Sequence, residues 1–405
     1  MENPKIRFKG FTKDWEQRKL GEIATETYGG GTPKTSNEEF WKGDIPWIQS
    51  SDLIDECLFD VRPRKCISQE AVSKSATKLV PQNSIAIVTR VGVGKLAFMP
   101  FSYATSQDFL SLSGLKIDPE FTVYALYKMM QSVSNEVQGT SIKGVTKDEL
   151  LAKKIIFPSC NEQKKIGAYL HSLDNLITLH QRKCEQTKKL KKYMLQKMFP
   201  QNGAKVPEIR FYGFTYDWEQ RNVSEITKFH KQGFYTTEEY DNSKKYYLLR
   251  GTDLTENKLV LKDTPKIDAT EKDYDAFKTE IGDFLIVRSG TVGTYGIVDV
   301  DIPAIFGSYL IDFRFDMEQV TNEFFGYFYQ SSLFKSQLNK IIQASANTNI
   351  NAENIKSTVI SLPSLNEQRR ISEYLGNLDN LITLHQRKCD ELKKMKKYML
   401  QNMFI

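Results

Sequence analysis

Histidine, cysteine and clustered acidic residues are the side chains with which this chain could perform acid–base, nucleophilic or metal-dependent chemistry. Asp268, Glu271 and Lys272 are close in sequence, but they fall in a charged loop and lack the arrangement of a nuclease metal site. His180 and His385 occupy equivalent positions of a repeat, where a role in packing or register competes with a shared metal ion. The five cysteines form no Cys-x-x-Cys pair. These residues predict neither a catalytic site nor a metal site.

Cofactor-binding motifs are also missing from the sequence. There is no Walker motif, no glycine-rich loop after a first strand, and no Asn/Asp-Pro-Pro-Tyr/Phe segment of the adenine-methyltransferase kind. Glycine-rich runs at residues 90–95 and 288–293 follow predicted strands, but Gly94-Lys95 leads into Leu96 and another strand. Hairpin turns are therefore predicted at both places. The sequence indicates a chain that is not an enzyme and binds no cofactor itself.

Polar residues on the predicted turns and strands could instead contact DNA. Arg and Lys pair with guanine edges or phosphates, and Asn and Gln pair with adenine edges. Plain turn or surface roles are the alternative for each of these residues. The candidate DNA contacts are Lys34, Thr35, Arg90, Lys95, Lys143, Lys231, Arg250, Arg288, Tyr295, Asn347 and Asn349.

The composition is compatible with such a role. A length of 405 residues suggests two or three domains, and the net charge of +6 permits a polyanionic partner without demanding one. No long uncharged apolar run suggests a membrane span, and the charged N-terminal segment is unlike a secretory signal. Few cysteines, odd in number, predict a protein of the reducing cytoplasm.

An internal duplication organises the chain. Residues 6–23 return as residues 209–226, and residues 161–199 return as residues 366–404, with most positions identical. The intervening residues 24–150 and 227–355 share only a loose pattern. A constant frame predicts that the same kind of partner is met twice, and the divergent inserts predict two different targets.

Each copy of the second repeated block is predicted to form one long helix. Apolar or small residues alternate at four- and three-residue spacing, broken at Lys191, as is typical of a coiled-coil seam. Antiparallel pairing of the two helices within the chain is predicted, with a parallel coil between two chains as the alternative. The lysine-rich second half of each helix could be a solvated face, attract DNA phosphates or dock an acidic partner. The seam residues are Ile166, Leu170, Leu173, Ile177 and His180 in the first copy and Ile371, Leu375, Leu378, Ile382 and His385 in the second.

Both inserts combine short β-type runs with one helical stretch, at residues 123–131 and 323–343. The predicted fold class is α+β, with two mixed α/β domains separated by a long antiparallel two-helix coiled coil and related by a pseudo-two-fold axis. The predicted boundaries are 1–155 for the first domain, 156–200 for the first helix, 201–360 for the second domain and 361–405 for the second helix.

This layout resembles the specificity subunit of type I restriction–modification systems. The resemblance is carried by the Pro-Ser-x-Asn-Glu-Gln motif that opens each helix, at residues 158–163 and 363–368. The module starts at residues 15–20 and 218–223 and the Ser-Ile-Lys segment at residues 141–143 add to it. The resemblance covers essentially the whole chain.

The resemblance implies a function and a set of partners. Each module would be a target recognition domain that reads one half of a split double-stranded DNA site, and the paired helices would set the spacer. Methyltransferase subunits, two of them expected, would dock on the helices and use S-adenosylmethionine. Motor-nuclease subunits would join the complex and use ATP and Mg. The alternatives are a coiled-coil scaffold that ignores DNA and a stand-alone DNA-modifying enzyme with an unrecognised site.

Overall fold

The computed structural model describes residues 4–138, 144–201, 203–237, 239–255, 257–288, 294–344 and 350–405. The chain forms two compact units, the first from residues 1–181 and 386–405 and the second from residues 182–385. Each unit contains one divergent insert, the start of one long helix and the end of the other.

The first unit contains strands from its insert and from the repeated frame. Its elements are β1 Glu16–Lys19, β2 Ala24–Gly29, β3 Ile45–Ile48, β4 Lys65–Ile67, α1 Gln69–Lys74, β5 Ser84–Val88, β6 Leu96–Met99, β7 Ala104–Thr105, β8 Phe109–Leu115, α2 Pro119–Gln138, α3 Lys147–Ala152, β9 Lys154–Phe157 and the start of α4 Cys160–Lys197. The insert forms a four-stranded sheet in the order β2-β8-β5-β6 and a three-stranded sheet in the order β4-β3-β7. The repeated frame contributes the antiparallel pair β1-β9.

The second unit repeats this order with local changes. Its elements are β10 Glu219–Asn222, β11 Thr227–Gln232, β12 Tyr246–Leu249, β13 Leu254–Thr255, β14 Lys258–Leu259, β15 Lys266–Ile267, α5 Glu271–Phe277, β16 Phe284–Val287, β17 Tyr295–Ile297, β18 Ala304–Phe306, β19 Leu310–Phe315, α6 Asn322–Gln330, α7 Ser332–Ala344, α8 Ala352–Lys356, β20 Val359–Leu362 and the start of α9 Leu365–Asn402. Its sheets have the orders β11-β19-β16-β17-β14-β13, β15-β12-β18 and β10-β20.

The sheet cores form where the sequence is most continuously apolar. Every residue of β5 and of β16 is buried, as expected for strands covered on both faces. Antiparallel pairing places Ile85 opposite Leu112 in the first unit and Phe284 opposite Phe313 in the second. The two inserts thus share one scaffold despite their different sequences.

The helical stretch predicted at residues 323–343 is two helices, because the chain leaves helical geometry at Ser331. Ser331 is buried and extended, with φ −65° and ψ 155°. Its hydroxyl donates to the Phe328 carbonyl and accepts from the Phe334 amide, so it caps both helices. A serine side chain can replace helical backbone bonds in this way.

The two long helices pair in the predicted antiparallel sense. Each has 38 residues, or about 57 Å of helix. In the first unit the start of α4 contacts the end of α9, where Lys396 reaches Asp174 at 2.5 Å. In the second unit the end of α4 contacts the start of α9, where Lys191 reaches Asp379 at 2.6 Å. The predicted α+β fold class with an antiparallel helix pair is confirmed.

The predicted seam has a wider role than helix–helix contact. Ile166, Leu170, Leu173 and Ile177 belong to the same buried cluster as Phe121 and Tyr124 of α2. Ile371, Leu375 and Leu378 are buried in the same way in the second unit, whereas Ile382, His180 and His385 are only half-buried. Each long helix therefore packs against the insert that precedes it as well as against the other long helix.

In each unit a backbone hydrogen bond joins the start of the first repeated block to the end of a long helix. The Ile209 amide donates to the Lys197 carbonyl at 3.0 Å across a short linker, and the equivalent Ile6 amide donates to the Asn402 carbonyl at 2.9 Å. None of the described helices has the length and apolar character required to span a membrane.

Candidate nucleic-acid interface

The two repeated blocks meet at a buried ion pair in each unit. The Arg7 guanidinium donates to both carboxylate oxygens of Glu162, at 2.7 and 2.9 Å, and Glu162 is 1% exposed. Arg210 and Glu367 repeat this geometry at 2.7 and 2.8 Å. These hydrogen bonds raise the pKa of both arginines. The Asn-Glu-Gln motif is therefore fixed by packing within this chain.

The glutamine of the same motif joins the long helix to the module. The side chain of Gln163 donates to the Pro158 carbonyl and accepts from the Asp118 amide at 2.8 Å, just before α2. Gln368 makes the equivalent bond with the Thr321 amide, just before α6. A buried side-chain amide satisfies both a donor and an acceptor at this junction.

Lys191, which interrupts the predicted seam, belongs to a repeated polar network. Asp174 accepts from Lys396 and from the Tyr124 hydroxyl, the latter at 2.6 Å. Burial and the neighbouring carboxylate raise the pKa of Tyr124. In the second unit Lys191, Asp379 and Tyr327 make the same contacts. Lys191 is half-buried and paired with Asp379, which explains why a cation interrupts the apolar spacing.

The histidines are engaged in structural contacts. His171 stacks on Phe59 with ring centroids 4.4 Å apart, and its Nδ1 lies 3.0 Å from Glu120. His230 stacks on Phe313. Across the described ranges of the chain, no group of three or more His, Cys, Asp or Glu side chains is placed to hold a metal ion.

A cleft of about 470 Å³ opens in the first unit at the end of the four-stranded sheet where β2 and β5 finish and β8 begins. We call this end of the sheet its edge. Arg90 lies on it at the end of β5 and is exposed. Gln107 precedes β8, and Lys147 begins α3. The full lining is Gly29, Gly30, Thr89, Arg90, Gln107, Phe109, Leu110, Gly144, Val145, Thr146 and Lys147. Cationic and amide side chains around a cleft of this kind can bind phosphates and base edges.

Backbone hydrogen bonds identify the same edge in the second unit. The Thr89 amide donates to the Asp108 carbonyl, and the Arg288 amide donates to the Tyr309 carbonyl. The segment after β2 is held in the same way, with Gly31 bonded to Thr105 and Phe234 bonded to Phe306. Residues 32, 89, 107 and 108 therefore correspond to residues 235, 288, 308 and 309.

A glycine allows the strands at this edge to approach closely. A Cβ on Gly30 would lie 1.8 Å from the Ser106 carbonyl oxygen, and a Cβ on Gly233 would lie 2.1 Å from the Gly307 carbonyl oxygen. Such distances exclude any side chain, so both modules require glycine here. We call the backbone of residues 30–32, 89 and 105–108, and of the equivalent residues of the second unit, the platform. Both modules share this platform, whereas the side chains that it displays differ.

The predicted DNA contacts fall into several environments. Lys34, Thr35 and Arg90 are exposed in the first unit, and Arg288 is half-buried at the end of β16. Lys95 donates to the Leu53 carbonyl and lies 3.8 Å from Asp55. Lys143, Asn347 and Asn349 lie outside the described residues.

Two further cations proposed as DNA contacts have local partners in the second unit. Lys231 donates to the Ala276 carbonyl at 2.8 Å and lies over the Phe277 ring. Arg250 binds the buried carboxylate of Asp253 and the Asp263 carbonyl. Lys231 thus links β11 to α5, whereas Arg250 stabilises the chain around Asp253 and Asp263.

The prediction that Tyr295 contacts DNA is wrong. Tyr295 is 4% exposed and stacks on Phe284 with ring centroids 4.6 Å apart. Its hydroxyl accepts a hydrogen bond from Gln330. Tyr295 follows the glycine-containing segment predicted to form a turn, but its position in β17 points the ring into the core, since alternate residues of a strand face opposite sides.

The sequence interpretation missed the exposed residues that the platform displays. Gln107 and Lys147 lie on the cleft of the first unit, and Tyr235 and Tyr309 are 75% and 66% exposed in the second. The offset between corresponding residues changes along the inserts, from 203 at Gly30 and Gly233 to 199 at Thr89 and Arg288, so no constant repeat spacing pointed to them. No motif marked these residues.

The second module also buries an acidic pair where the first has serines. Asp312 and Asp283 take the places of Ser111 and Ser84, and Asp312 is 0% exposed. Burial raises the pKa of Asp312 to about 8, and the nearby Asp283 carboxylate acts in the same direction. Arg314 lies 3.6 Å from Asp312 and 2.8 Å from Asp283, which moderates the effect.

The chain is similar to DNA specificity subunits of type I restriction enzymes. A family profile described as type I restriction modification DNA specificity domain matches residues 12–189 and 216–394. The type I restriction enzyme MjaVIII specificity subunit of Methanocaldococcus jannaschii is 26% identical over 96% of this chain and 91% of its own length. The MjaIX specificity subunit of the same organism is 32% identical, but the match covers 45% of this chain and 43% of that protein.

A solved structure shares the fold across the full length. The S subunit of a type I restriction–modification system from M. genitalium matches with a TM-score of 0.65, covering 100% of this chain and 99% of that one. Sequence identity between the two is 15%, so the likeness concerns the fold alone.

Proposed function

The chain belongs to the type I restriction modification DNA specificity family, and from this premise we propose that it is the non-catalytic subunit that selects the DNA site for partner enzymes. Each module reads one half of a bipartite site, and the paired helices set the spacer between the halves. S-adenosylmethionine is bound by the methyltransferase subunits, and ATP and Mg are bound by the motor-nuclease subunits. Because its proposed target is DNA, we expect the chain to work in the cytoplasm.

The observation that carries this proposal is one backbone platform presenting different side chains in the two modules. The bonds from Thr89 to Asp108 and from Arg288 to Tyr309 fix the same edge twice. Around it the first module places Gln107, and the second places an exposed Tyr309. A conserved scaffold with divergent exposed groups suits two readers of different sequences, since base edges are distinguished by side-chain chemistry.

The docking of methyltransferase subunits is supported by apolar residues on the exposed flank of the helices. Leu176 and Leu179 of α4 are each 42% exposed, and they lie three residues apart on one helix face. Their repeat equivalents Leu381 and Leu384 of α9 are 43% and 48% exposed. Duplicated exposed leucines fit one docking site per helix, each for the same kind of subunit.

The decisive experiment combines the chain with its methyltransferase subunit and maps modified adenines across genomic DNA. We expect a split motif with an adenine methylated in each half. Exchanging residues 24–150 for those of a relative should change one half of the motif and leave the other unchanged. A motif independent of this chain would favour the scaffold alternative, and methylation by the chain alone would favour the enzyme alternative.

Docking is tested separately by subunit stoichiometry. Leu179→Glu should reduce the number of bound methyltransferase subunits from two to one, and Leu179→Glu with Leu384→Glu should abolish binding, because a charge would be buried at each site. Gln181→Glu, an exposed position of the same helix, is the matched control. Sedimentation of the mixed subunits gives the count, and two bound subunits in the double variant would disprove docking at these leucines.

A further inference from the structure

Building on the proposed function, we propose that Gln107 is a specificity-determining residue of the first module and reads an adenine through its side-chain amide. Gln107 is exposed and lies on the cleft at the sheet edge, together with Arg90 and Lys147. A glutamine amide can donate to N7 and accept from N6 of adenine, a pairing that other bases do not offer.

The segment that carries Gln107 is held rigidly on both sides. The Ser106 amide donates to the Ile48 carbonyl at 3.0 Å. The Asp108 carbonyl accepts from the amide of Thr89 at 2.7 Å and from its hydroxyl at 3.0 Å. A base-reading side chain requires such a fixed backbone, because a displacement of a fraction of an ångström breaks bidentate geometry.

The amide itself is also oriented. The Thr32 hydroxyl donates to Oε1 of Gln107 at 3.0 Å. An amide oxygen has two lone pairs, so Oε1 retains acceptor capacity while the Thr32 contact limits rotation of the group. The amide is thus partly pre-organised for a planar partner.

The surroundings divide the work of recognition. Arg90 and Lys147 are exposed cations on the same cleft, and such groups bind phosphates or guanine edges, not adenine. Gln107 is the side chain of this cleft that carries an amide, the group that pairs with adenine. Adenine discrimination is therefore assigned to Gln107, and phosphate binding to the two cations.

The second module provides the internal comparison. Ser308 occupies the position of Gln107, and Tyr235 occupies that of Thr32. A residue needed for the platform itself would be expected in both modules, as are Gly30 and Gly233. The difference at positions 107 and 308 is the behaviour of a specificity determinant, and it predicts that the two modules read different bases.

The test uses the complete complex of this chain with its methyltransferase subunit. Methylation rates are measured on duplexes in which each base pair of both half-sites is replaced in turn. The half-site of the first module is assigned by the exchange of residues 24–150. The variants are Gln107→Ser, which installs the residue of the second module, and Gln107→Glu, whose carboxylate accepts from cytosine N4. Gln17→Ser, at an exposed position of β1, is the matched control.

Wild type should discriminate one A·T pair of the first half-site by about 10- to 100-fold. Gln107→Ser should lose that discrimination, Gln107→Glu should move the preference to cytosine, and the second half-site should not change. The inference is overturned if both variants keep the wild-type motif. It is also overturned if both lose methylation on every duplex while their melting temperature and non-specific DNA binding are unchanged. Failure of the proposed function looks different, because the wild-type complex itself would then methylate no split site.

Discussion

Replacing Arg7 by methionine should loosen the junction between the N-terminal segment and α4. Arg7 makes two charge-assisted hydrogen bonds with Glu162, which is 1% exposed, and Arg7 itself is 14% exposed. Methionine keeps an unbranched apolar stem but removes the cation, so the Glu162 carboxylate remains buried without its partner. Breaking a buried pair by removing one partner costs about 3–5 kcal/mol. Opening of this junction should become about 10²- to 10⁴-fold more frequent.

Hydrogen exchange resolved by peptide is the appropriate assay, because a chain with two units need not unfold in one step. Arg7→Met should reduce protection at residues 6–15 and 160–170 and leave the second unit unchanged. Arg210→Met should give the mirror result, with reduced protection at residues 209–218 and 365–375. Arg62→Met, in a pair where both side chains are mostly exposed, should cost less than about 1 kcal/mol.

The double variant Arg7→Met with Glu162→Gln tests whether the unpaired buried charge causes the loss of protection. The neutral amide removes the uncompensated charge, so the double variant should recover part of the lost protection. A loss of protection below tenfold in Arg7→Met would refute the reasoning. So would a double variant that is less protected than the single one, because either result would mean that the buried charge is not the cause.

Three further predictions address other parts of the structure. Gly30→Ala should lower the melting temperature of the first unit and abolish half-site recognition by the first module, because its Cβ would overlap the Ser106 carbonyl. An unchanged melting temperature in calorimetry would contradict the close approach of these two segments. Lys396→Met should destabilise the first unit by about 3 kcal/mol in calorimetry, since Asp174 loses its cation, and Lys396→Arg should retain most of the stability. The Asp312 carboxyl has a folded pKa of about 8 against an ordinary value of 3.8, so the native state holds its proton between these values. The stability that this proton provides is present below pH 4 and is lost as the pH rises to 8, with a slope of up to about 1.4 kcal/mol per unit. Asp312→Ser should reduce that slope, because burial also raises the pKa of the neighbouring Asp283, and it should raise the melting temperature most at pH 8; an unchanged pH profile would show that the Asp312 carboxyl does not titrate in this way.

The two long helices could be predicted from the sequence because the block that forms them occurs twice. The duplicated blocks located both long helices, and the four-and-three spacing identified Ile166, Leu170 and Leu173 as buried positions. The same spacing could not show that these residues also face α2 of their own module, because periodicity gives the buried side of a helix and not its neighbour. Lys191 interrupts the pattern because its charge is paired with Asp379, a residue far away in sequence.

The candidate DNA-binding surface could not be located in the same way. Its edge is assembled by backbone hydrogen bonds between segments after β2, β5 and before β8, which lie far apart in the chain. Residue type and proximity to a predicted glycine turn indicate Arg90 but do not indicate Gln107. The same two criteria indicate Tyr295, although the alternation of side chains along β17 buries it.

The same backbone hydrogen bond joins a long helix to the start of a repeated block in both units, at Ile209 and at Ile6. The Ile209 amide meets the end of α4 through a covalent linker, and the Ile6 amide meets the end of α9 in the same geometry without one. A circular permutant that joins the end of α9 to Ile6 and opens the chain between α4 and Ile209 would keep both contacts. We therefore expect such a permuted chain, in which the second module comes first, to fold.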